Sequence, residues 1–276
     1  MKHSIILSAD GSHTLKLSDF DECYHSSNGA YAEARHIYIH CGVEHLWNQM
    51  MEGNLSGQDK PEDTNCDDAT FEVYDIGLGT ALNAMVTLVW QLQLMESGEP
   101  VPHIRYKGIE KYPIAPGEAL TLNFPQHIAA IQKSEAPSKI TEELLTSWFT
   151  AIHTSEWEKD IRITPYFTLH KHQGDITTVE GSYFQSCTRT TISNTNSRHP
   201  EIIPAVIFYD TFSPATQPQL WDAAIFRKIA QNVAPGSILT TYCSKGTVKQ
   251  ALRDAGFQLE RLSGPPGKRH ILRATK

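Results

Sequence analysis

The stretch Phe71-Glu-Val-Tyr-Asp-Ile-Gly-Leu-Gly-Thr-Ala-Leu-Asn83 decides the fold, because in it an apolar strand runs into a glycine turn and then into a helix. Phe71, Val73 and Ile76 suit a strand buried in a parallel sheet, Gly77 and Gly79 let the backbone come close to a ligand, and Thr80 to Met95 carries a helical pattern. A turn of this kind presents free backbone N–H groups at a helix start, and it reads as nucleoside-binding. It is not a dinucleotide fingerprint, because Leu82 stands where Gly-x-Gly-x-x-Gly needs its third glycine. Ordinary strand-to-helix connections use the same pattern, so the remaining sequence has to discriminate.

The chain has 276 residues, 40% hydrophobic and 20% charged, as in a globular protein that buries a sizeable core. Its N-terminal apolar run is too short for a secretory signal, and no stretch approaches the roughly 18 apolar residues of a membrane span. A cytoplasmic protein with no membrane contact is expected. Five cysteines (Cys23, Cys41, Cys66, Cys187, Cys243) are odd in number and scattered, which argues against a disulfide framework and against structural zinc. No metal is expected. The net charge of −7 disfavours indiscriminate coating of nucleic acid, yet Gly264 to Lys276 holds four basic residues and no acidic one.

In chain order, Ser4 to Leu17 alternates around Asp10-Gly11-Ser12 and predicts a β-hairpin. A polar and aromatic loop, Ser18 to Asn28, precedes a second strand pattern at His36 to His40. Residues 1–52 are expected to form a small N-terminal β appendage, 53–68 a linker or loop, and 69–276 the main domain. From Phe71 onward strands and helices alternate, the signature of a doubly wound parallel sheet. Strands are expected at Ile104 to Glu110, Tyr166 to His172, Ile202 to Phe208 and Ser237 to Thr241, with Ala119 to Trp157 helical but broken at Pro125 and Pro137. The chain then closes in an antiparallel hairpin, Gly256 to Leu262 with His270 to Ala274.

Ligands of such folds bind beyond the carboxyl ends of the strands, so acidic residues there carry the functional signal. Glu110, followed by Lys111, ends the second strand, where a carboxylate can accept both hydroxyl hydrogens of a ribose; the alternative is a solvated strand-end glutamate. Asp175, after Gly174, ends the third strand and either bonds an adenine amino group or N-caps a short helix. His170 and His172 share a strand face without a third ligand, and they read as structural. Asp210-Thr-Phe-Ser-Pro214 follows an apolar strand at the expected switch point of the sheet and is the expected reaction centre, with Asp210, Phe212, Ser213 and Pro214 facing the glycine turn.

Taken together, Asp10-Gly11-Ser12, Asp21-Glu22-x-Tyr24-His25-Ser26, Asp75-Ile-Gly-Leu-Gly-Thr-x-Leu-Asn83, Ile109-Glu-Lys-Tyr-Pro113, Gly174-Asp175, Asp210-x-Phe-Ser-Pro214, Leu239 to Gly246 and Gly264-Pro-Pro-Gly-Lys-Arg269 resemble the bacterial tRNA aminomethyluridine methyltransferases of the MnmC and MnmD type. The resemblance covers nearly the whole chain. It implies a class I S-adenosylmethionine-dependent fold, in which the closing hairpin is typical, and N-methylation of 5-aminomethyl-2-thiouridine at the tRNA wobble position to 5-methylaminomethyl-2-thiouridine. Two-domain relatives add a flavin oxidoreductase; this chain resembles the stand-alone methyltransferase, and no flavin is expected. Ala81 departs from the family's usual third glycine and is expected to narrow the turn slightly, while 53–68 and 134–165 look longer than required.

Carried over by residue, the resemblance implies that Asp75, Gly77, Gly79 and Thr80 hold the methionine part of the cofactor, Glu110 the ribose and Asp175 the adenine, with Asn83, Lys111 and Gly174 also binding the cofactor. Asp210 is implied as the catalytic carboxylate. Tyr24, His25 and Ser26 would cover the site, Phe212 would stack on a flipped-out base beside Ser213 and Pro214, and Lys268 and Arg269 would hold phosphate of an anticodon stem-loop. Two other classes fit the same fold: a methyltransferase acting on a small amine, and a nucleoside-binding protein without turnover.

Overall fold

The computed structural model describes residues 3–18, 22–53, 70–135, 138–185, 188–192 and 198–276. The chain opens with β1 (His3–Leu7) and β2 (His13–Leu17), the expected antiparallel hairpin. Asp10 holds its turn, accepting the Ser12 N–H on Oδ1 at 3.0 Å. Helix then runs from α1 (Ala30–Ala34) through a π-helical segment (Arg35–Glu44) to α2 (His45–Met51).

His36 to His40, expected as a strand, is therefore helical. The alternation of His, Ile and Tyr matches a strand locally, but Ile37, Tyr38, Ile39, Cys41 and Val43 are all buried, so the segment is enclosed on several sides and tertiary burial overrides β propensity. Its Gly42 lies so close to the sheet that a Cβ there would meet Val206 at 3.2 Å. The expected β appendage thus consists of a hairpin plus a helical layer that shares the main core. Nearly all of the expected linker 53–68, together with Asp21, Cys66, Pro137 and Cys187, falls outside the described residues.

The main domain runs β3 (Thr70–Ile76), α3 (Leu82–Ser97), β4 (His103–Glu110), α4 (Pro116–Ala119), α5 (Phe124–Glu135), α6 (Glu142–Thr154), β5 (Asp160–Thr164), β6 (Phe167–Gln173), β7 (Thr188–Ile192), β8 (Arg198–Ile202), β9 (Val206–Tyr209), α7 (Ala223–Asn232), β10 (Ile238–Thr241), α8 (Gly246–Asp254), β11 (Gln258–Ser263) and β12 (His270–Thr275). Helix is interrupted at 120–123, between α4 and α5, close to the expected break, and Pro125 sits in the first turn of α5, where its missing N–H is harmless. The sequence pattern did not reveal β5, which adds antiparallel to the edge of β6. On that edge His170 bonds Asp160 and His172 bonds Glu158, each at 2.8 Å, which is the structural role expected of the pair.

Eight strands form one sheet in the order β11-β12-β10-β9-β3-β4-β6-β5. The inner strands β10, β9, β3, β4 and β6 are parallel, and β11 and β12 form the expected antiparallel closing hairpin. Alternate residues of β3 serve opposite faces: Phe71 and Val73 pack under α3 and the π-helical segment, while Tyr74 and Ile76 pack under α7 and α8. Helices on both faces of a mostly parallel sheet make the doubly wound class I fold. Its switch point lies between β3 and β9, where successive crossovers leave in opposite directions.

Candidate active site

A cavity of about 510 Å³ opens at the carboxyl ends of β3, β4, β6 and β9, the size and position of a small-molecule site. Its floor is the turn after β3. Gly77 and Gly79 both take positive φ (95° and 48°), and a Cβ on Gly77 would fall 2.5 Å from the carbonyl oxygen of Asp210. Only glycine allows β3 and β9 to approach this closely. Ala81 also adopts the left-handed conformation, at φ 57°, so it keeps a glycine-like backbone at a strain of about 1 kcal/mol and leaves the turn's course intact.

Glu110 binds this turn to the next strand end. Its Oε2 accepts the Gly79 N–H at 3.0 Å and its Oε1 the Tyr112 N–H at 2.8 Å. Burial pushes its carboxyl above the ordinary value, against the pull of these backbone donors. Lys111 pairs with Asp175 at 2.8 Å, and Asp175 Oδ1 also accepts from Thr177 N–H and Oγ1 at 2.9 and 2.8 Å. Asp175 therefore closes an Asx-type turn, since residues 176–178 are a turn and not a helix. Partial burial works the other way, but the Lys111 ammonium and the Thr177 donors hold Asp175 below the usual carboxylate range.

Asp210 leaves β9 with its N–H on the Ile76 carbonyl at 3.0 Å, which places its side chain on the cavity wall. Asp210 Oδ2 accepts from Asn83 Nδ2 at 2.9 Å, and the buried Tyr38 hydroxyl lies against the carboxylate without a well-formed hydrogen bond. Burial raises Asp210 above the usual carboxylate range, tempered by Tyr38, Asn83 and the charge of Lys268.

Residues 22–27 of the N-terminal segment line the cavity. Tyr24 packs on Gly79 and meets Phe212 edge-on, with ring centroids 5.2 Å apart. His25 Nε2 hydrogen-bonds Thr80 Oγ1, and burial pushes His25 down to about 4, so its imidazole is neutral at pH 7. The Ser26 N–H donates to Glu33. Glu22 latches the loop across the opening by accepting the Ser213 N–H at 2.8 Å and its Oγ at 3.2 Å.

Among the residues expected here, Gly77, Gly79, Glu110, Lys111, Gly174, Asp175, Asp210, Phe212, Tyr24, His25, Ser26 and Lys268 line the cavity. Asp75, Thr80 and Asn83 are buried behind its wall, and Ser213 and Pro214 belong to the loop outside it. Lys268 and Arg269 separate. Lys268 turns inward to an ion pair with Glu33 and lies over the Tyr242 ring at 5.1 Å, whereas Arg269 is exposed. Glu33, Tyr242 and Tyr38 carry no local signal of function. Glu33 meets Lys268 across 235 residues of sequence, a pairing that only the fold creates.

Residues 189–276 match the family model described as S-adenosyl-L-methionine-dependent methyltransferase. Over 259 residues, 92% of this chain, the sequence is 27% identical to the tRNA 5-methylaminomethyl-2-thiouridine biosynthesis bifunctional protein MnmC of Pseudomonas fluorescens, covering 32% of that protein. It is 24% identical to the protein of that name from Pseudoalteromonas atlantica over 97% of this chain and 32% of the relative. The chain thus spans about a third of the length of these curated relatives. In fold it is similar to the crystal structure of MnmC2 from Aquifex aeolicus, with a TM-score of 0.62 and 20% identity over 99% of this chain and 70% of that one.

Proposed function

We propose that the chain, which is similar to the MnmC proteins over 92% of its length and matches an S-adenosyl-L-methionine-dependent methyltransferase model over residues 189–276, N-methylates the aminomethyl group of 5-aminomethyl-2-thiouridine at the tRNA wobble position, giving 5-methylaminomethyl-2-thiouridine. The observation that carries this reading is Asp210, a carboxylate at the switch-point strand end that faces a nucleoside-sized cavity and is fixed from behind by Asn83.

The residues present fit the cofactor. Glu110 keeps acceptor capacity for a ribose hydroxyl after binding the backbone N–H groups of Gly79, Tyr112 and Lys111. Gly77 and Gly79 line the cavity at the turn, with Gly77 packed on the Asp210 backbone and Gly79 under the Tyr24 ring, and Gly174, Lys111 and Asp175 border the proposed adenine end. The Asp175 oxygens already have Thr177 and Lys111 as partners, so any adenine contact shares them. Bound there, S-adenosylmethionine supplies an electrophilic sulfonium methyl group.

The acceptor is a primary alkylamine, which is protonated in water at neutral pH. It must lose one proton before it can present a lone pair, and a second once the nitrogen carries the methyl group. Asp210 accepts the N–H hydrogen bonds that hold the neutral amine in line, and it passes or receives the proton. Its burial raises its basicity toward that task. Tyr24, His25 and Ser26 exclude water from above, and Phe212 offers an aromatic face to an unstacked base. Arg269, exposed beside the cavity-lining Lys268, suits a phosphate of the anticodon stem-loop. A cytoplasmic location follows from a tRNA substrate.

The test is incubation with labelled S-adenosylmethionine and tRNA from a cell lacking this gene, followed by nucleoside analysis. Label in 5-methylaminomethyl-2-thiouridine supports the reading. Label only in free polyamines would favour a small-amine methyltransferase.

A further inference from the structure

Asp75 heads the glycine turn, where the resemblance implies a cofactor contact, yet its side chain is fully buried and both oxygens face protein donors. The Tyr106 hydroxyl donates to Oδ2 at 2.6 Å, and Asn83 Nδ2 approaches Oδ1 at 3.5 Å. The same Nδ2 donates to Asp210 Oδ2 at 2.9 Å. An amide nitrogen carries two hydrogens, so Asn83 can give one to each carboxylate.

One further atom points the same way. Asn83 Oδ1 is buried without a hydrogen-bond partner. An unpaired buried carbonyl is costly, and an asparagine free to turn over would do so. Here turning over would set that oxygen against two carboxylates, so the pair of acceptors fixes the amide with its NH2 toward Asp210. Burial pushes the Asp75 carboxyl well above its ordinary value, while the Tyr106 hydroxyl stabilises its charge.

The geometry points to Asp75 as a positioning residue: through Asn83 it holds one oxygen of Asp210 in place, and it does not bind the cofactor. The fold builds this chain locally. Asp75 shares the Val73 face of β3, Tyr106 faces it from the adjacent β4, and Asn83 lies in the first turn of α3. The inference rests on the proposed use of Asp210 in methyl transfer.

Asp75→Asn, Asn83→Ala, the double variant and Tyr106→Phe are compared with wild type by calorimetry with S-adenosylmethionine and by methylation of hypomodified tRNA at saturating cofactor. A positioning role predicts cofactor affinity within about threefold of wild type, kcat lowered about tenfold or more in each single variant at Asp75 and Asn83, and little further loss in the double variant, because both act on one bond. Tyr106→Phe, which keeps the ring packing, shows the same split with a smaller loss, so a folding defect in Asp75→Asn would not shield the inference. A cofactor affinity that falls more than tenfold, with kcat recovered at saturation, overturns it, as do single losses that multiply in the double variant. Wild-type protein that binds cofactor but methylates no tRNA removes the functional reading and this role of Asp75 with it; wild type that works alongside unaffected variants removes only the latter.

Discussion

Replacing Glu110 with alanine removes an acceptor that the site uses on both oxygens. One oxygen takes the Gly79 N–H at 3.0 Å, the other the Tyr112 N–H at 2.8 Å, and the Lys111 N–H also bonds the carboxylate, which leaves one lone-pair site for a ribose hydroxyl. A hydrogen bond to a charged group is worth about 1.5–3 kcal/mol, so losing the hydroxyl contact should weaken S-adenosylmethionine binding by about that much, on the order of ten- to a hundredfold in Kd. Glu110→Gln should fall between alanine and wild type. The glutamine oxygen can serve one N–H and one hydroxyl, but its NH2 must face the other backbone donor. Because burial raises Glu110 above the ordinary carboxylate value, wild-type affinity should decline as pH falls through that raised value, since a protonated carboxyl loses acceptor sites. Glu110→Gln should be flat across the same interval. Calorimetric titration against pH, with thermal denaturation to check folding, reads all three effects. An alanine variant that folds normally and binds cofactor with wild-type affinity refutes the ribose assignment.

Ala81→Gly should raise stability by up to about 0.5 kcal/mol in denaturant titration, as relief of left-handed strain at φ 57° is largely offset by the chain entropy of glycine, whereas a valine there should destabilise. His25 is shifted from 6.5 down to about 4 by burial, so the folded state resists its protonation; the stability this gives is complete above pH 6.5 and is lost as pH falls toward 4. His25→Gln should flatten that part of a Tm-against-pH curve. Arg269→Ala should weaken tRNA binding and lower the salt slope of the affinity by about 1, while Lys268→Met, whose charge already pairs with Glu33, should leave the salt slope unchanged.

Most of the fold was legible because its signals are local. The apolar run into Gly77 and Gly79, the alternating strands and helices, and the closing hairpin all rest on short-range periodicity and turn chemistry, and all are present. His36 to His40 misled for a physical reason. Its alternation suits a strand, but a segment wedged between sheet and helix is buried on several sides, and only tertiary context reveals that. The edge strand β5 was missed because its residues are mostly half-exposed and polar.

At the site, residues at strand ends were legible, since position in a doubly wound sheet marks Glu110, Asp175 and Asp210 before any contact is known. The distinction between lining and supporting residues was not. Asp75, Thr80 and Asn83 sit in the same motif as Gly77 and Gly79, yet strand pleat and the start of α3 turn them away from the cavity. Lys268 stood beside Arg269 in a basic run, and its inward turn depends on Glu33, a buried carboxylate with nothing in its local sequence to mark it.

The most direct test of the central claim is the single-turnover methylation rate of Asp210→Asn on hypomodified tRNA at saturating labelled S-adenosylmethionine, with cofactor affinity measured on the same preparation. Removing a group that accepts the amine's N–H hydrogen bonds should cost about 10²–10⁴ in rate while affinity stays within a few-fold of wild type. A rate within threefold of wild type would contradict the account and remove Asp210 from the chemistry.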